Sequence, residues 1–485
     1  MSVTVCKNFL YFPSEYIINV MQVEGARTFL TMKKIKLDSA KLIPISFLFA
    51  IIIGTILLML PIAKAGEGSA DITTAFFTST TSICVTGLVV VDTYAYWSLF
   101  GKIVILILIQ LGGFGIIAVT SILMLMLKRK MSLSGALLVH DAFNLNSMDG
   151  VFRFLIAVFK STFVVELLGA AIYAITFIPK YGPLRGLWYS LFTSISAFCN
   201  AGIDIMGPDS LISFQSNTLV LANSMMLIVM GGLGYVVWID VFRNLRKGIK
   251  RKYSLTQVIK HFNEHTKLVL TLTIVLILSG ALIVFILEYG NNETIGSMNM
   301  WDKILNSIFQ SVTFRTAGFA AVPQEALTES TCFLGCIYMF IGGSPVGTAG
   351  GVKTVTFFIV LLNGISFIRN RNENVVFSRK VTSEMIHKAS AIVMVSFFVT
   401  VIFLILIMTT NNVGLVDGMY ETFSATATVG LSRSLTSSLN TVGRWLIIVA
   451  MFLGRIGPIS MALFFSYDTE GKNKISYAKG NFFVG

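Results

Sequence analysis

The chain has 485 residues, of which 55% are hydrophobic and 13% charged, with a mean hydropathy of +0.79, more apolar surface than one water-soluble core absorbs. Several stretches exceed the ~18 charge-free residues that mark a membrane span, which makes this a polytopic membrane protein and excludes disorder and collagen-like repetition. The net charge of +13 lies in loops between apolar segments, so it is a topology signal and not a nucleic-acid surface.

In chain order, residues 1–41 lack the apolar core and cleavage site of a signal peptide and read as a cytoplasmic amphipathic arm. Eight spans are predicted, at 42–61, 103–127, 161–179, 217–239, 268–287, 331–368, 389–410 and 445–467; the sixth is too long for one straight helix. Between them, 71–83, 184–198, 301–312 and 417–427 are apolar but too short to cross, the mark of re-entrant or interfacial helices. Asp71, Asp302 and Asp417 stand at or near three of their starts, where a carboxylate complements the helix dipole and would also draw cations to an outer mouth. Of the 37 Lys and Arg residues, 27 fall in the arm, the even-numbered connections and the tail. The positive-inside rule then puts both termini in the cytoplasm. Arg315, Lys353 and Arg455 fall at membrane depth. Cys6, Cys84, Cys199, Cys332 and Cys336 have no zinc-like spacing and suggest no disulfide framework.

A repeat organises these elements. Each short helix is followed by a glycine in a small-polar setting: Val85-Thr86-Gly87-Leu88, Asn200-Ala201-Gly202-Ile203, Thr316-Ala317-Gly318-Phe319 and Thr428-Val429-Gly430-Leu431. The glycines lie 115, 116 and 112 residues apart, which implies four tandem units of span, short pore helix, loop and span around one axis. The divisions are 1–41, 42–130, 131–242, 243–368 and 369–485. A second glycine cluster, Gly112-Gly113, Gly231-Gly232, Gly342-Gly343 and Gly454, follows 25, 29, 24 and 24 residues later; in the first two copies, close helix packing explains it equally well. In the third copy, 342–351 holds five glycines and a proline and cannot stay helical, at ~1 kcal/mol per interior glycine and ~3 for proline.

Non-helical backbone at membrane depth is tolerated only where it is buried or lines a watery path. Four such loops around an axis would offer rings of carbonyl oxygens in place of a cation's hydration shell, with the negative ends of four helix dipoles pointing at it.

These loops, the run Gly342-Gly343-Ser344-Pro345-Val346-Gly347-Thr348-Ala349-Gly350-Gly351-Val352-Lys353-Thr354 and the segment Gly454-Arg455-Ile456-Gly457-Pro458 resemble the Trk/Ktr/HKT superfamily of potassium transporters. The resemblance covers about 42–485 and is closest to the Ktr membrane subunit, since the extra N-terminal helix pair of the Trk subunit is missing and Gly485 follows a short apolar tail. It implies a selectivity filter at Val85 to Leu88, Asn200 to Ile203, Thr316 to Phe319 and Thr428 to Leu431. Glycine in all four loops goes with potassium, and the second loop departs most from the threonine-rich ideal. It also implies an intramembrane gate made by Gly342, Gly343, Ser344, Pro345, Gly347, Thr348, Gly350, Gly351 and Lys353, faced by Arg455. Arg455 has an alternative reading as the buried partner of Glu166 or Glu421. Glu166, a lone carboxylate in the third span, reads either as functional or as a neutral acid bonded between helices. Arg315 is expected to brace the third loop by pairing with Asp302 or Glu421.

The run 347–354 resembles a nucleotide-binding P-loop but has Val352 where glycine is required, and His261-Phe262-Asn263-Glu264-His265 matches a zinc-protease string without a third ligand. No catalytic constellation appears, and an enzyme is not expected. The implied function is potassium uptake across the plasma (inner) membrane through a gated pore driven by the membrane potential, at ~2.3 kcal/mol per charge per 100 mV, with sodium dependence left open. The alternatives are an obligatorily coupled sodium or proton symporter and a non-conducting scaffold. The resemblance implies no cofactor on this chain, potassium as substrate, and a homodimer on a cytoplasmic ring of RCK-type subunits that bind ATP and ADP. The basic loops 243–267 and 369–388 would meet that ring or anionic lipids, and the apolar tail 482–484 suits the dimer contact.

Overall fold

Charge-free runs in hydrocarbon must satisfy their backbone internally, which favours helices. The computed structural model describes residues 39–115, 151–371 and 373–457, and among these helix dominates, with a single two-stranded antiparallel hairpin of β1 (Val375–Val376) and β2 (Arg379–Lys380). The arm 1–38 and the tail 482–484 lie outside the described residues.

The first third contains α1 (Ser39–Leu58), α2 (Ile72–Ile83) and α3 (Leu99–Phe114). Next come α4 (Val151–Tyr181), α5 (Pro183–Cys199), α6 (Thr218–Leu233), α7 (Tyr235–Arg251) and the one-and-a-half-turn α8 (Leu255–Lys260). They are followed by α9 (Glu264–Glu288), α10 (Met300–Thr313), α11 (Glu329–Phe340) and α12 (Thr354–Ile368). After the hairpin come α13 (Ser383–Asn411), α14 (Leu415–Thr426) and α15 (Thr441–Ile456). Local chemistry starts the short helices: Asp71 caps α2 by accepting from the Thr73 amide at 3.0 Å, Pro183 opens α5, and Asn299 caps α10 through the Asp302 amide at 2.8 Å.

By length and composition, three described helices can cross a membrane, Phe154–Tyr181, Glu264–Glu288 and Ser383–Asn411, or four if the bent pair α6 and α7 is one span. Their outward faces carry exposed Leu167, Leu278, Phe398 and Ile402, as lipid-facing surfaces do. The predicted straight span 217–239 is corrected: it breaks at Gly234 (φ 90), and α7 turns away by 101°. The Tyr235 amide leaves the helix ladder for the Val346 carbonyl at 3.1 Å, and only glycine takes that backbone angle without strain. α3 and α15 likewise stop at Gly115 (φ 81) and Gly457 (φ 88), and the rest of their predicted spans lies outside the described residues.

Small residues set the packing of the short helices. Ser79, Ser194 and Ser311, on α2, α5 and α10, donate to the carbonyls of Ile51, Glu166 and Ile277 on the preceding long helices at 2.7, 2.6 and 2.9 Å. Three residues further along those helices stand Gly54, Gly169 and Gly280, where a β-carbon would meet the same serine hydroxyls. The second glycine cluster has a similar purpose: a β-carbon at Gly112, Gly231 or Gly454 would strike the carbonyl oxygen of Ile83, Phe198 or Thr426 at the end of a short helix. Gly231→Ala is therefore expected to cost about 1–3 kcal/mol, while Gly364→Ala, with open space around it, gains up to about 1 kcal/mol. Thermal unfolding of the purified chain reads the difference, and equal midpoints would contradict the close contact.

Candidate ion pathway

Each short helix ends in one residue with left-handed backbone, followed two positions later by the loop glycine. The pairs are Val85 and Gly87 (φ 54 and 100), Asn200 and Gly202 (φ 60 and 63), Thr316 and Gly318 (φ 65 and 81), and Thr428 and Gly430 (φ 51 and 97). The alternation keeps successive carbonyls from pointing to opposite sides as they do in a strand. The loops also close on one another. A β-carbon at Gly87 would meet the Ala201 oxygen, at Gly202 the Ala317 oxygen (2.7 Å), at Gly318 the Val429 oxygen (2.6 Å), and at Gly430 the Thr86 oxygen. This is a complete ring, first loop to second, third, fourth and back to first, so the sixteen residues from Val85 to Leu88, Asn200 to Ile203, Thr316 to Phe319 and Thr428 to Leu431 stand together.

Hydroxyls on the short helices hold the loops in place. Thr81 and Ser424 accept from the amides of Gly87 and Gly430 at 3.0 Å each, and Ser196 and Thr313 donate to the carbonyls of Ile203 and Phe319 at 2.6 Å each. Sequence reasoning missed these four; a hydroxyl five or six residues before each loop glycine was the available signal. The loop hydroxyls of Thr86, Thr316 and Thr428 are buried with no hydrogen-bond partner among the described residues, an unusual cost unless something else ligates them. Above the ring opens a cavity of about 400 Å³ lined by Asp92, Asp204, Gln324, Ser432 and Thr436 along with the loop glycines. Burial, with Asp92 and Asp209 nearby, pushes the Asp204 carboxyl up to about 7.

Below the ring, the stretch between α11 and α12 folds back on itself. Gly342 and Gly343 donate to the carbonyls of Val352 and Gly350 at 3.0 and 3.3 Å, and Thr354 donates to Gly343 at 3.0 Å. Because α6 stops at Leu233, its last carbonyls lack helical partners, and the loop supplies them: Ser344 donates to Gly232 at 2.9 Å and Thr348 to Gly231 at 3.1 Å. The Thr348 hydroxyl reaches the Phe198 carbonyl at 3.2 Å. Pro345 lies against Gly234, Gly347 against the carbonyls of Gly231 and Gly232, and Gly350 beneath Ala427 and Thr428, while Gly351 takes φ 66. Lys353 donates to Ala349 at 2.7 Å and starts α12.

Arg455 straps this loop to the first third of the chain. One terminal nitrogen donates to the Thr348 carbonyl and the other to the Gly112 carbonyl at the end of α3, each at 2.5 Å. The carboxylate partnership is thereby corrected, since Glu166 accepts from Gln110 at 3.0 and 3.2 Å and Glu421 accepts from Ser432 at 2.7 Å and from Thr436. The expected Arg315 pair is corrected too. Arg315 is buried with no carboxylate partner among the described residues and lines a small cavity with Thr273 and Gly343. Asp302 stands thirteen residues up the chain, on the order of 20 Å along a helix, and bonds Asn299 at 2.8 Å, while Glu421 is satisfied by hydroxyls of its own loop. Arg433 makes the ion pair instead, with Asp417 at 3.0 Å.

A mostly helical, multi-pass membrane protein with four short helices delivering four loops to one ring is the class that these features define. A model of the TrkH family, described as cation transport protein, matches residues 17–476, and the chain belongs to that family. It is 37% identical over 455 residues to Ktr system potassium uptake protein B of Bacillus subtilis (strain 168), covering 94% of this chain and 98% of the relative. It is 32% identical over 430 residues to potassium/sodium uptake protein NtpJ of Enterococcus hirae, covering 88% of this chain and 92% of the relative. The crystal structure of the potassium transporter TrkH from Vibrio parahaemolyticus shares the fold, with a TM-score of 0.70 at 16% identity, over 89% of this chain and 86% of that one.

Arg455→Met would strand the buried Thr348 carbonyl and leave the Gly112 carbonyl with the Gly115 amide alone, at 3.2 Å. The expected loss is about 3 kcal/mol, from two charge-assisted bonds at ~1.5 each, seen as a lower unfolding midpoint for the full chain. An unchanged midpoint would mean that the strap carries no stability.

Proposed function

We propose that this protein takes up potassium through a gated, potassium-selective pore in the plasma membrane, driven by the membrane potential. The closed ring of glycine loops carries this reading, because it gathers backbone oxygens and unpartnered threonine hydroxyls where a dehydrated cation needs oxygen ligands. Relatives named for potassium uptake at 37% and 32% identity support it. In this reading the sixteen loop residues are the filter, and 342–353 with Arg455 is the gate. Eight spans in four tandem units surround the pore, with both termini cytoplasmic as the basic loops require. The chain works as a homodimer on a cytoplasmic ring of nucleotide-binding subunits, carries no cofactor of its own, and is a transporter, not an enzyme. The word system in the name of the Bacillus relative supports a companion component. Sodium stimulation is a second reading, favoured by the potassium/sodium name of the Enterococcus relative.

The test is potassium uptake in cells lacking their own uptake systems, with the regulatory partner co-expressed. The intact chain is expected to restore growth at low potassium. Gly318→Ser, which adds a side chain at φ 81 against the Val429 oxygen, is expected to lower potassium-over-sodium selectivity about tenfold, since one misplaced ring oxygen at ~1.4 kcal/mol is a factor of ten. Deleting 347–351 is expected to raise ungated flux. A well-expressed chain that moves no cation would remove the pore reading and leave the scaffold.

The outer mouth gives a pH dependence. With Asp204 titrating at about 7, its negative charge is present at pH 8 and mostly lost by pH 6, so potassium entry at low external potassium should fall over that interval. In Asp204→Asn the fall should be absent, and a profile identical to the intact chain's would assign the titration elsewhere.

A further inference from the structure

A second cavity, of about 430 Å³, lies apart from the ring, between α12, α13 and α15, a size suited to a small-molecule ligand. Its walls are mostly apolar, from Phe340, Ile392, Val395, Val399 and Leu453, and its charged lining groups are Lys353 and Lys388. No carboxylate lines it among the described residues. Along α13 it runs from Lys388 to Thr400, twelve residues or roughly 18 Å of helix. Val395 lines the slot and is also 39% exposed, so the slot reaches the surface of α13, a helix long and apolar enough to cross a membrane. Lys388 makes no hydrogen bond or ion pair among the described residues, and Lys353 spends one of its three N–H donors on the Ala349 carbonyl.

A long apolar slot with the unpaired Lys388 at one end is complementary to an anion carrying an acyl chain, and basic pockets between membrane helices on the basic side of a protein bind anionic headgroups. We propose that the slot is a binding site for an anionic membrane phospholipid, its headgroup held by Lys388 and one acyl chain lying between α12, α13 and α15. The far wall of the slot is Gly351 to Lys353, the exit of the loop strapped by Arg455, together with Thr426 and Ala427 behind the fourth ring loop. A bound chain therefore packs directly on both. The site stands independently of the cation reading, since binding is measured without transport.

The test uses the purified full chain in nanodiscs of phosphatidylcholine with graded phosphatidylglycerol, with retained lipid counted by native mass spectrometry. The intact chain should keep phosphatidylglycerol in preference to phosphatidylcholine. Lys388→Gln should lower that retention about fivefold, which is ~1 kcal/mol for one lysine beside an anionic lipid, and Val395→Trp, which fills the slot, should abolish it. Lys380→Gln, whose ammonium pairs with Glu373 at 2.6 Å, should change nothing. Equal retention in Lys388→Gln and the intact chain, or equal retention of both lipids, would overturn the proposal. A Val395→Cys thiol that stays closed to maleimide after delipidation would overturn it in favour of a segment of this chain, and one that forms disulfide-linked dimers in favour of a second copy.

Discussion

Backbone carbonyls and amides that leave a helix inside hydrocarbon must find partners, and this structure is arranged around that requirement. α3, α6 and α15 end at glycines with left-handed backbone, and each exposes a last turn of carbonyls. The loop between α11 and α12 meets those of α6 with its own amides, and Arg455 meets one from α3 and one from the loop. The irregular stretch is held because neighbouring helices stop short, and those helices can stop short because the loop is there. Removing any one member takes hydrogen-bond partners from buried polar groups on the others.

The same logic separates two kinds of charged residue. Arg455 is surrounded by carbonyl oxygens and serves as a strap, with a polar partner for each terminal nitrogen. Arg433 is in a pair with a half-exposed aspartate, Asp417, the kind of pair that contributes little to stability. Among the described residues Glu166 and Glu421 are held by Gln110 and by hydroxyls, without a cation, so their role in the fold is as acceptors.

Much of this was readable from glycines. Their spacing located all four ring loops, because backbone geometry there admits few other residues, and the glycine-rich 342–351 marked the broken helix because propensity forbids any other outcome. The break at Gly234 was not readable, since one glycine in an apolar run looks like any packing glycine until a partner for the Tyr235 amide is known. The serine and glycine pairs that seat α2, α5 and α10 also passed unnoticed. Ser79 and Gly54 lie 25 residues apart, and nothing local ties a hydroxyl to a carbonyl on another helix. The pairing expected for Arg315 failed because Asp302, at the start of α10, stands thirteen residues away, on the order of 20 Å along a helix, and Glu421 is already bonded by Ser432 and Thr436.

The ring is assembled from four unlike stretches of a single polypeptide. In a ring of four identical subunits, every substitution lands at all four positions at once. Here a change at Ala201 or Val429 alters one quarter of the circumference and leaves three intact, so the ring can be adjusted in small asymmetric steps. The irregular loop beneath it exploits the same freedom, since it descends from one quarter alone and needs no counterpart on the other three sides.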